Sequence, residues 1–201
     1  MRLGRLKALE RINNQSLIER TIEHLAPPTQ SVLVVTTEEQ FDIIRAARLK
    51  VKIVVDLYPG KGALGGIYTG LTSADTCYNL VVGCDMPFLN RDLLLYIIEN
   101  ISNFDAVVPK IRGMLEPLHA VYSKGCLAPI HEMIEENRLE ISGLFSMVRT
   151  RYIDEDELRQ FDSQHLSFFN VNTLADLKEA RKLIEQREHC LTAAKDNICS
   201  D

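Results

Sequence analysis

Leu80-Val81-Val82-Gly83-Cys84-Asp85-Met86-Pro87 is the stretch that decides the fold. Its near-continuous apolar run is typical of a strand buried on both faces, and the run stops at a carboxylate. Pro87 cannot donate a hydrogen bond to a neighbouring strand, so the strand is expected to end near Asp85. Ligands of open α/β sheets bind beyond the carboxyl ends of the strands, and Asp85 is therefore predicted to lie at a binding site.

Short apolar runs alternate with helical patterns along the rest of the chain. The predicted strands cover residues 32–35, 51–55, 80–84, 105–108, 118–122 and 168–173. Helices are predicted at 38–47, from the glycine-rich segment 60–66 to about 73, after Asn90 to about 101, and at 173–186. This alternation predicts a three-layer, Rossmann-like α/β fold with a mostly parallel central sheet. A small antiparallel portion is expected around residues 105–122 and 150–171. We expect one domain over residues 1–187 and a flexible tail over 188–201.

Composition narrows the class of protein. The chain has 201 residues, of which 46% are hydrophobic and 25% charged, enough for one sizeable core. Its net charge of −5 argues against general nucleic-acid binding or docking on a membrane surface. No apolar run is long enough to span a bilayer and no signal peptide is evident, so a cytoplasmic protein is expected. The five cysteines include no C-x-x-C pair, which signals neither a disulfide framework nor a zinc site.

Three predicted strands end in polar residues, and Asp85 is the predicted metal ligand among them. Mg²⁺ prefers one or two carboxylates together with waters and phosphate oxygens, and a strand-end carboxylate suits that role. The competing interpretation is that Asp85 only caps the turn after its strand. Thr36 and Asp56 follow two other strands and are expected near the same edge of the sheet.

Two segments have the composition of phosphate-binding turns. Gly60-Lys61-Gly62-Ala63-Leu64-Gly65-Gly66 precedes a helix, and its glycines allow a close backbone approach to an anion at the helix N-terminus. Residues 1–9 resemble the second half of a similar turn, in which Arg2, Gly4 and Lys7 would contact phosphate. For each segment the alternative is a structural loop with solvated lysines.

Two further pairs of polar residues complete the candidate site. Glu116 and His119 lead into a predicted strand and suit either acid–base chemistry or a hydrogen-bonded strand end. Asn170 and Asn172 flank an inward apolar residue on the predicted strand 168–173. They either contact a ligand or metal, or they satisfy the loop backbone, and Thr173 is expected to cap the last helix.

Five motifs occur in an order that resembles the molybdenum cofactor guanylyltransferase family. They are Arg2-Leu3-Gly4-Arg5-Leu6-Lys7-Ala8-Leu9 and the segments at 62–67, 84–89, 116–122 and 169–173. The Cys-Asp-Met-Pro-Phe-Leu segment at 84–89 matches the family's metal motif word for word. The resemblance covers about residues 2–186.

The resemblance implies transfer of GMP from GTP to molybdopterin, with Mg²⁺ as cofactor, on the nucleotide-diphospho-sugar transferase variant of the Rossmann architecture. Lys7 and Asp85 match the phosphate-contacting lysine and the Mg²⁺ ligand, which makes them the predicted catalytic pair. The remaining nucleotide contacts are expected from Arg2, Gly4, Thr36, Asp56, Gly62, Gly65 and Gly66, although the family often has asparagine where this chain has Thr36.

The substrate side of the expected site follows from the same resemblance. Glu116, His119, Asn170 and Asn172 are expected near molybdopterin. Catalysis would then consist of holding two polyanions in line and neutralising their charge, without a strong general base, because the nucleophile is already a phosphate anion. Expected partners also include other cofactor-biosynthesis proteins and acceptor molybdoenzymes.

The family's first strand and its Ala-Gly-Gly turn are not found in this sequence. A central strand missing from such a sheet would leave the neighbouring strands with unpaired edges. The preferred interpretation is a misplaced start codon, and the other is a truncated, non-catalytic nucleotide-binding paralogue. A cytidylyltransferase acting on molybdopterin is the alternative enzyme, although the Cys-Asp-Met-Pro form of the metal motif favours the guanylyl reading.

Overall fold

The computed structural model describes residues 7–26, 29 and 31–198, and the side chains as far as residue 187. The strands are β1 (Arg11–Ile12), β2 (Gln15–Ser16), β3 (Leu33–Thr36), β4 (Lys52–Val55), β5 (Tyr78–Val82), β6 (Ala106–Ile111), β7 (Met114–Leu115), β8 (His119–Ser123) and β9 (Thr150–Ile153). The helices are α1 (Leu17–Leu25), α2 (Glu38–Ala46), α3 (Gly62–Ser73), α4 (Arg91–Glu99), α5 (Leu127–Glu135), α6 (Glu155–Leu158) and α7 (Leu174–Ile198).

The largest sheet has five strands and is mixed. Its order is β5-β8-β6-β7, with β9 paired to β6. Strands β5, β6 and β9 run in one direction, whereas β7 and β8 run in the other. The α/β class is confirmed, and so is an antiparallel portion within residues 105–122. The expectation that residues 150–171 belong to that portion is wrong, because β9 pairs parallel with β6. The sheet is nevertheless less parallel than predicted, because β8 returns between β5 and β6 and pairs antiparallel with both.

Helices cover both faces of this sheet, as a three-layer fold requires. Alternate residues of β6 and β8, such as Ala106 and Tyr122, pack with α3 and α5 in one core cluster. Their neighbours Val107 and Val121 pack with α4 in a second cluster. The period of two along each strand therefore divides the apolar side chains between two cores.

Strands β3 and β4 form a separate parallel pair. Helix α3 packs against both of these strands and, through Leu64 and Leu71, also against the core of the five-stranded sheet. Among the described residues, β3 pairs only with β4 and β5 only with β8. The central strand that the resemblance leads one to expect is not found among them, so each of these strands has one edge free of a partner strand within the described structure.

Two local predictions are confirmed and one is wrong. The Asn90 side chain caps α4 by accepting from the backbone N–H groups of Asp92 at 2.9 Å and Leu93 at 3.1 Å, and Thr173 caps α7. Residues 168–173 do not form a strand. A 3-10 turn covers Leu166–Phe168, and residues 169–172 carry no regular secondary structure. The N–H of the buried Val171 donates to the carbonyl of Asp85.

The last helix is longer than predicted. It continues to Ile198, so its predicted end at residue 186 is wrong and the expected boundary between residues 187 and 188 falls inside α7. Val171, Leu177, Ala180 and Ile184 pack with Ile12 and Phe88 in a third core cluster. This packing holds the start of α7 beside the turn that follows β5.

Candidate nucleotide and metal site

The candidate site lies at the carboxyl end of β5. Val82 is the last residue of the strand and pairs with His119 of β8. The chain then turns through Gly83 and Cys84 to Asp85, and the N–H of Gly83 donates to the Leu118 carbonyl at 3.0 Å. The carbonyl of Asp85 accepts from the N–H of Val171 at 2.9 Å. Asp85 is thus fixed by backbone contacts on two sides, at the edge of the sheet where the sequence predicted it.

Three predicted site residues from distant parts of the chain meet at this point. The Nζ of Lys7 donates to the Oδ1 of Asn172 at 2.6 Å and lies 3.6 Å from the Oδ2 of Asp85. The side chains of Lys7 and Asp85 are 32% and 21% exposed, so both are partly accessible to a ligand. We name Lys7, Asp85 and Asn172 the cation cluster.

The cation cluster has a donor set that suits a magnesium ion. Two oxygen atoms, one from a carboxylate and one from an amide, already converge on the positive charge of Lys7. Mg²⁺ uses oxygen donors of this kind and completes its shell with waters and phosphate oxygens. Within the described residues there is no group of three or more His, Cys, Asp or Glu side chains that could hold a metal. A metal at this site would therefore depend on the phosphates of a substrate.

Asn172 is positioned by the N-terminal cap of α7. Asp176, which makes this cap, was not predicted from the sequence. The Asp176 carboxylate accepts from the N–H groups of Asn172 at 2.9 Å and Thr173 at 2.7 Å, and the Asp176 N–H donates to the Thr173 hydroxyl at 3.2 Å. The hydrogen bond from Asn172 is the largest cause of the lowered pKa of Asp176, and the charge of Lys7 adds to it. The Thr-x-x-Asp spacing of a capping box was the signal that could have found Asp176.

Asn170 makes a different kind of contact. Its Nδ2 donates to the carbonyl of Phe168 at 3.2 Å. This bond fits the alternative in which an asparagine satisfies its own loop, whereas Asn172 reaches Lys7. The structure therefore separates the two asparagines that the sequence had treated as a pair.

The local structure of the glycine-rich turn requires glycine at some of its positions but not at all of them. Gly60 and Gly62 have positive φ angles of 82° and 62°, which favour glycine. A Cβ at Gly65 would lie 2.7 Å from the carbonyl oxygen of Tyr58, so close packing accounts for that glycine. A Cβ at Gly66 would meet nothing within 4 Å. Gly60 and Gly62 likewise have nothing within 4 Å of an added Cβ, so open space for a ligand lies beside all three of these glycines.

Asp56 follows β4 and stabilises the start of the glycine-rich turn through hydrogen bonds. Its Oδ1 accepts from the N–H of Tyr58 at 3.1 Å and from the hydroxyl of Thr69 at 2.8 Å. Its own N–H donates to the carbonyl of Thr36 at 2.8 Å, and Thr36 is buried at the end of β3. Both predicted residues lie at the carboxyl ends of their strands, and the contacts of Asp56 organise the glycine-rich turn. Arg2 and Gly4, the other predicted phosphate contacts, lie outside the described residues.

Glu116 and His119 lie in one turn that borders the site, and the N–H of His119 donates to the carbonyl of Glu116 at 3.0 Å. Burial raises the pKa of the half-buried Glu116. His119 is fully buried, with its ring 4.5 Å from the ring of Phe168, centroid to centroid. Burial lowers its pKa to about 4, and the charge of Asp162 opposes this only in part. This buried position does not favour direct contact between His119 and a substrate.

The protein combines a Rossmann-like α/β fold with a glycine-rich turn and with the cation cluster at the strand ends. This combination is typical of nucleotidyltransferases. Residues 1–152 match the model of the MobA-like NTP transferase domain, and the chain belongs to that family. The resemblance found in the sequence is confirmed.

Relatives and solved structures agree with this assignment. The chain is 35% identical over 184 residues to a probable molybdenum cofactor guanylyltransferase of Pelotomaculum thermopropionicum, covering 92% of this chain and 88% of the relative. It resembles the crystal structure of molybdopterin-guanine dinucleotide biosynthesis protein A from Archaeoglobus fulgidus, with a TM-score of 0.81, 27% identity and coverage of 92% and 93%. The 2-C-methyl-D-erythritol 4-phosphate cytidylyltransferase of Thermus thermophilus shares the fold, with a TM-score of 0.66, 17% identity and coverage of 89% and 94%. No helix in the described ranges combines the length and the apolar character needed to cross a membrane.

Proposed function

We propose that the protein transfers GMP from GTP to molybdopterin and releases pyrophosphate, and that it does so in the cytoplasm. The observation that carries the proposal is the cation cluster, in which Lys7, Asp85 and Asn172 meet at the carboxyl end of β5. The names of the relatives and of the Archaeoglobus structure supply the substrates. We further propose that the reaction depends on Mg²⁺.

In the proposed reaction, an oxygen of the molybdopterin phosphate attacks the α-phosphorus of GTP. A new P–O bond forms, the bond to the β-phosphate breaks, and pyrophosphate leaves with the electron pair. The nucleophile is an anion, so no side chain has to remove a proton. The protein's task is to bring two polyanions together in line and to balance their charge.

Each part of the site has a role in this scheme. The ammonium of Lys7 contributes a positive charge for a phosphate, and Asp85 with Asn172 would hold Mg²⁺. When bound, Mg²⁺ supplies charge neutralisation at the phosphate oxygens. The N-terminus of α3 and the open face at Gly66 offer backbone N–H groups and space to the nucleotide. The hydrogen bonds of Asp56 stabilise the conformation of that turn.

The test is a direct assay of dinucleotide formation. The protein is incubated with Mg²⁺, molybdopterin and GTP, CTP or ATP, and the dinucleotide and pyrophosphate are quantified by chromatography. We expect product with GTP and its loss by about 100-fold or more in Asp85→Asn, which keeps the shape of the side chain but removes its charge. Exposed Asp75, which precedes β5 and so lies at the opposite end of that strand, supplies the matched control Asp75→Asn with unchanged turnover.

Each of the contrary outcomes would change the account. Product with CTP rather than GTP would make the enzyme a cytidylyltransferase. Full activity in Asp85→Asn would move the metal site elsewhere. Nucleotide binding without any product would favour a non-catalytic paralogue.

A further inference from the structure

The Asp85 carboxylate lies directly over the backbone of Gly83. A Cβ built at position 83 would lie 2.7 Å from the Oδ1 of Asp85, far inside van der Waals contact, whereas the next nearest atom, the Cε of Met86, is 3.7 Å away. The other oxygen of the same carboxylate, Oδ2, faces the Nζ of Lys7. The absence of a side chain at Gly83 is thus what leaves room for one carboxylate oxygen while the other faces the cation cluster.

We propose that Gly83 is a positioning residue, which lets the Asp85 carboxylate lie flat against the chain and point Oδ2 towards the metal and phosphate site. This inference rests on the proposed function of Asp85. Any larger residue at position 83 would leave Asp85 present but turn its carboxylate away from Lys7 and Asn172.

The physical reason is that the clash involves the terminal oxygen of a side chain rather than a backbone atom. The N–H of Gly83 donates a backbone hydrogen bond to Leu118. The φ angle of Gly83 is one that alanine also adopts readily. An added methyl group therefore displaces neither the strand nor the turn. It displaces Oδ1 by rotating the Asp85 side chain, and such a rotation moves Oδ2 as well. A substitution at Gly83 is expected to cost little stability and to change the donor set.

The experiment compares Gly83→Ala with Gly70→Ala as the matched control. Gly70 lies in α3, and a Cβ there would meet only the Cγ2 of Val35 at the ordinary distance of 3.7 Å. GTP binding is measured by calorimetry in EDTA and again with Mn²⁺, which gives the metal-dependent gain in affinity. Both variants are expected to melt near the unsubstituted protein, and Gly83→Ala alone is expected to lose about tenfold or more of that gain.

A double-mutant cycle tests whether Gly83 acts through Asp85. In an Asp85→Ala background there is no Oδ1 to displace, so adding Gly83→Ala is expected to change neither the metal-dependent gain nor the melting temperature. Additive losses in the double variant would overturn the proposal. An unchanged gain in Gly83→Ala, or a large fall in its melting temperature compared with Gly70→Ala, would overturn it as well.

A measurement without metal or nucleotide separates this proposal from the proposed function. In the metal-free protein, Gly83→Ala is expected to shift the ¹³Cγ resonance of Asp85, because the carboxylate leaves the neighbourhood of Lys7. If GTP binding gains nothing from Mn²⁺ in the unsubstituted protein, the proposed function fails while this shift still tests Gly83. An unmoved resonance would refute the positioning role directly.

Discussion

Acidification is expected to destabilise the protein through His119. The side chain is fully buried, and neither ring nitrogen has a well-aligned hydrogen-bond partner among the described residues. Burial, opposed in part by Asp162 and the Ser167 backbone, lowers the pKa from 6.5 to about 4. The folded protein therefore keeps His119 neutral at a pH at which the unfolded chain already binds a proton.

The sign and size of the effect follow from proton linkage. The unfolded state binds more protons between pH 6.5 and about 4, so stability is complete above this window and is lost as the pH falls through it. A tenfold difference in proton affinity corresponds to about 1.4 kcal/mol, so the full window contributes about 3 kcal/mol, of which about 2 kcal/mol is lost by about pH 5.

Urea unfolding at about pH 7.5 and about pH 5 measures this loss. His119→Leu has a similar volume and no titrating nitrogen, so it is expected to remove about 2 kcal/mol of the pH dependence. It should also be at least as stable at the higher pH, because His119 has no well-aligned hydrogen bond to lose among the described residues. The exposed His131 provides the control variant His131→Gln. An equal pH dependence in His119→Leu and the unsubstituted protein would refute the reasoning.

Three further outcomes are expected. Lys7→Met should raise the KM for GTP by about tenfold or more through loss of a phosphate-facing charge, measured by initial rates, and an unchanged KM would exclude that role. Asn172→Ala should weaken Mn²⁺-dependent GTP binding more than Asn170→Ala does, because only Asn172 reaches Lys7; equal effects would contradict this. An N-terminal extension that carries an apolar strand and an Ala-Gly-Gly turn should raise the melting temperature by about 5 °C or more, by pairing with the edges of β3 and β5 that have no partner strand in the described part of the chain. A polar extension of equal length should not, and equal melting temperatures would contradict the prediction.

The sequence carried enough information to place the candidate site at a strand end, but not to show which side chains meet there. Asp85 was predictable because a buried apolar run that ends in a carboxylate is typical of a ligand-binding strand end in an α/β sheet. The contact between Lys7 and Asn172 joins residues 165 positions apart, and no periodicity in either segment encodes it. The family resemblance supplied both residues, and the packing of α7 against Ile12 and Phe88 brings their segments together.

The features that the sequence did not reveal depend on contacts between segments rather than on spacing along the chain. Residues 169–173 alternate apolar and polar like a strand, but the N–H of Val171 donates to Asp85, and the N–H groups of Asn172 and Thr173 donate to the Asp176 carboxylate rather than to a neighbouring strand. Alternation does not reveal whether a partner strand is available. The role of Asp56 as a nucleotide contact stays a prediction, and the structure adds that its carboxylate is hydrogen-bonded within the turn that follows its strand. The role of Gly83 depends on where another side chain lies, which sequence spacing does not specify.

The central claim is that the cation cluster is one metal and phosphate site, and anomalous diffraction tests it most directly. Crystals of the protein grown with GTP and Mn²⁺ would be measured at the manganese absorption edge. The account predicts a peak about 2.2 Å from an Asp85 carboxylate oxygen, with GTP phosphate oxygens in the same coordination shell and Lys7 on a phosphate. A manganese ion bound away from Asp85, for example at Asp56, or a triphosphate that makes no contact with Lys7, would contradict it.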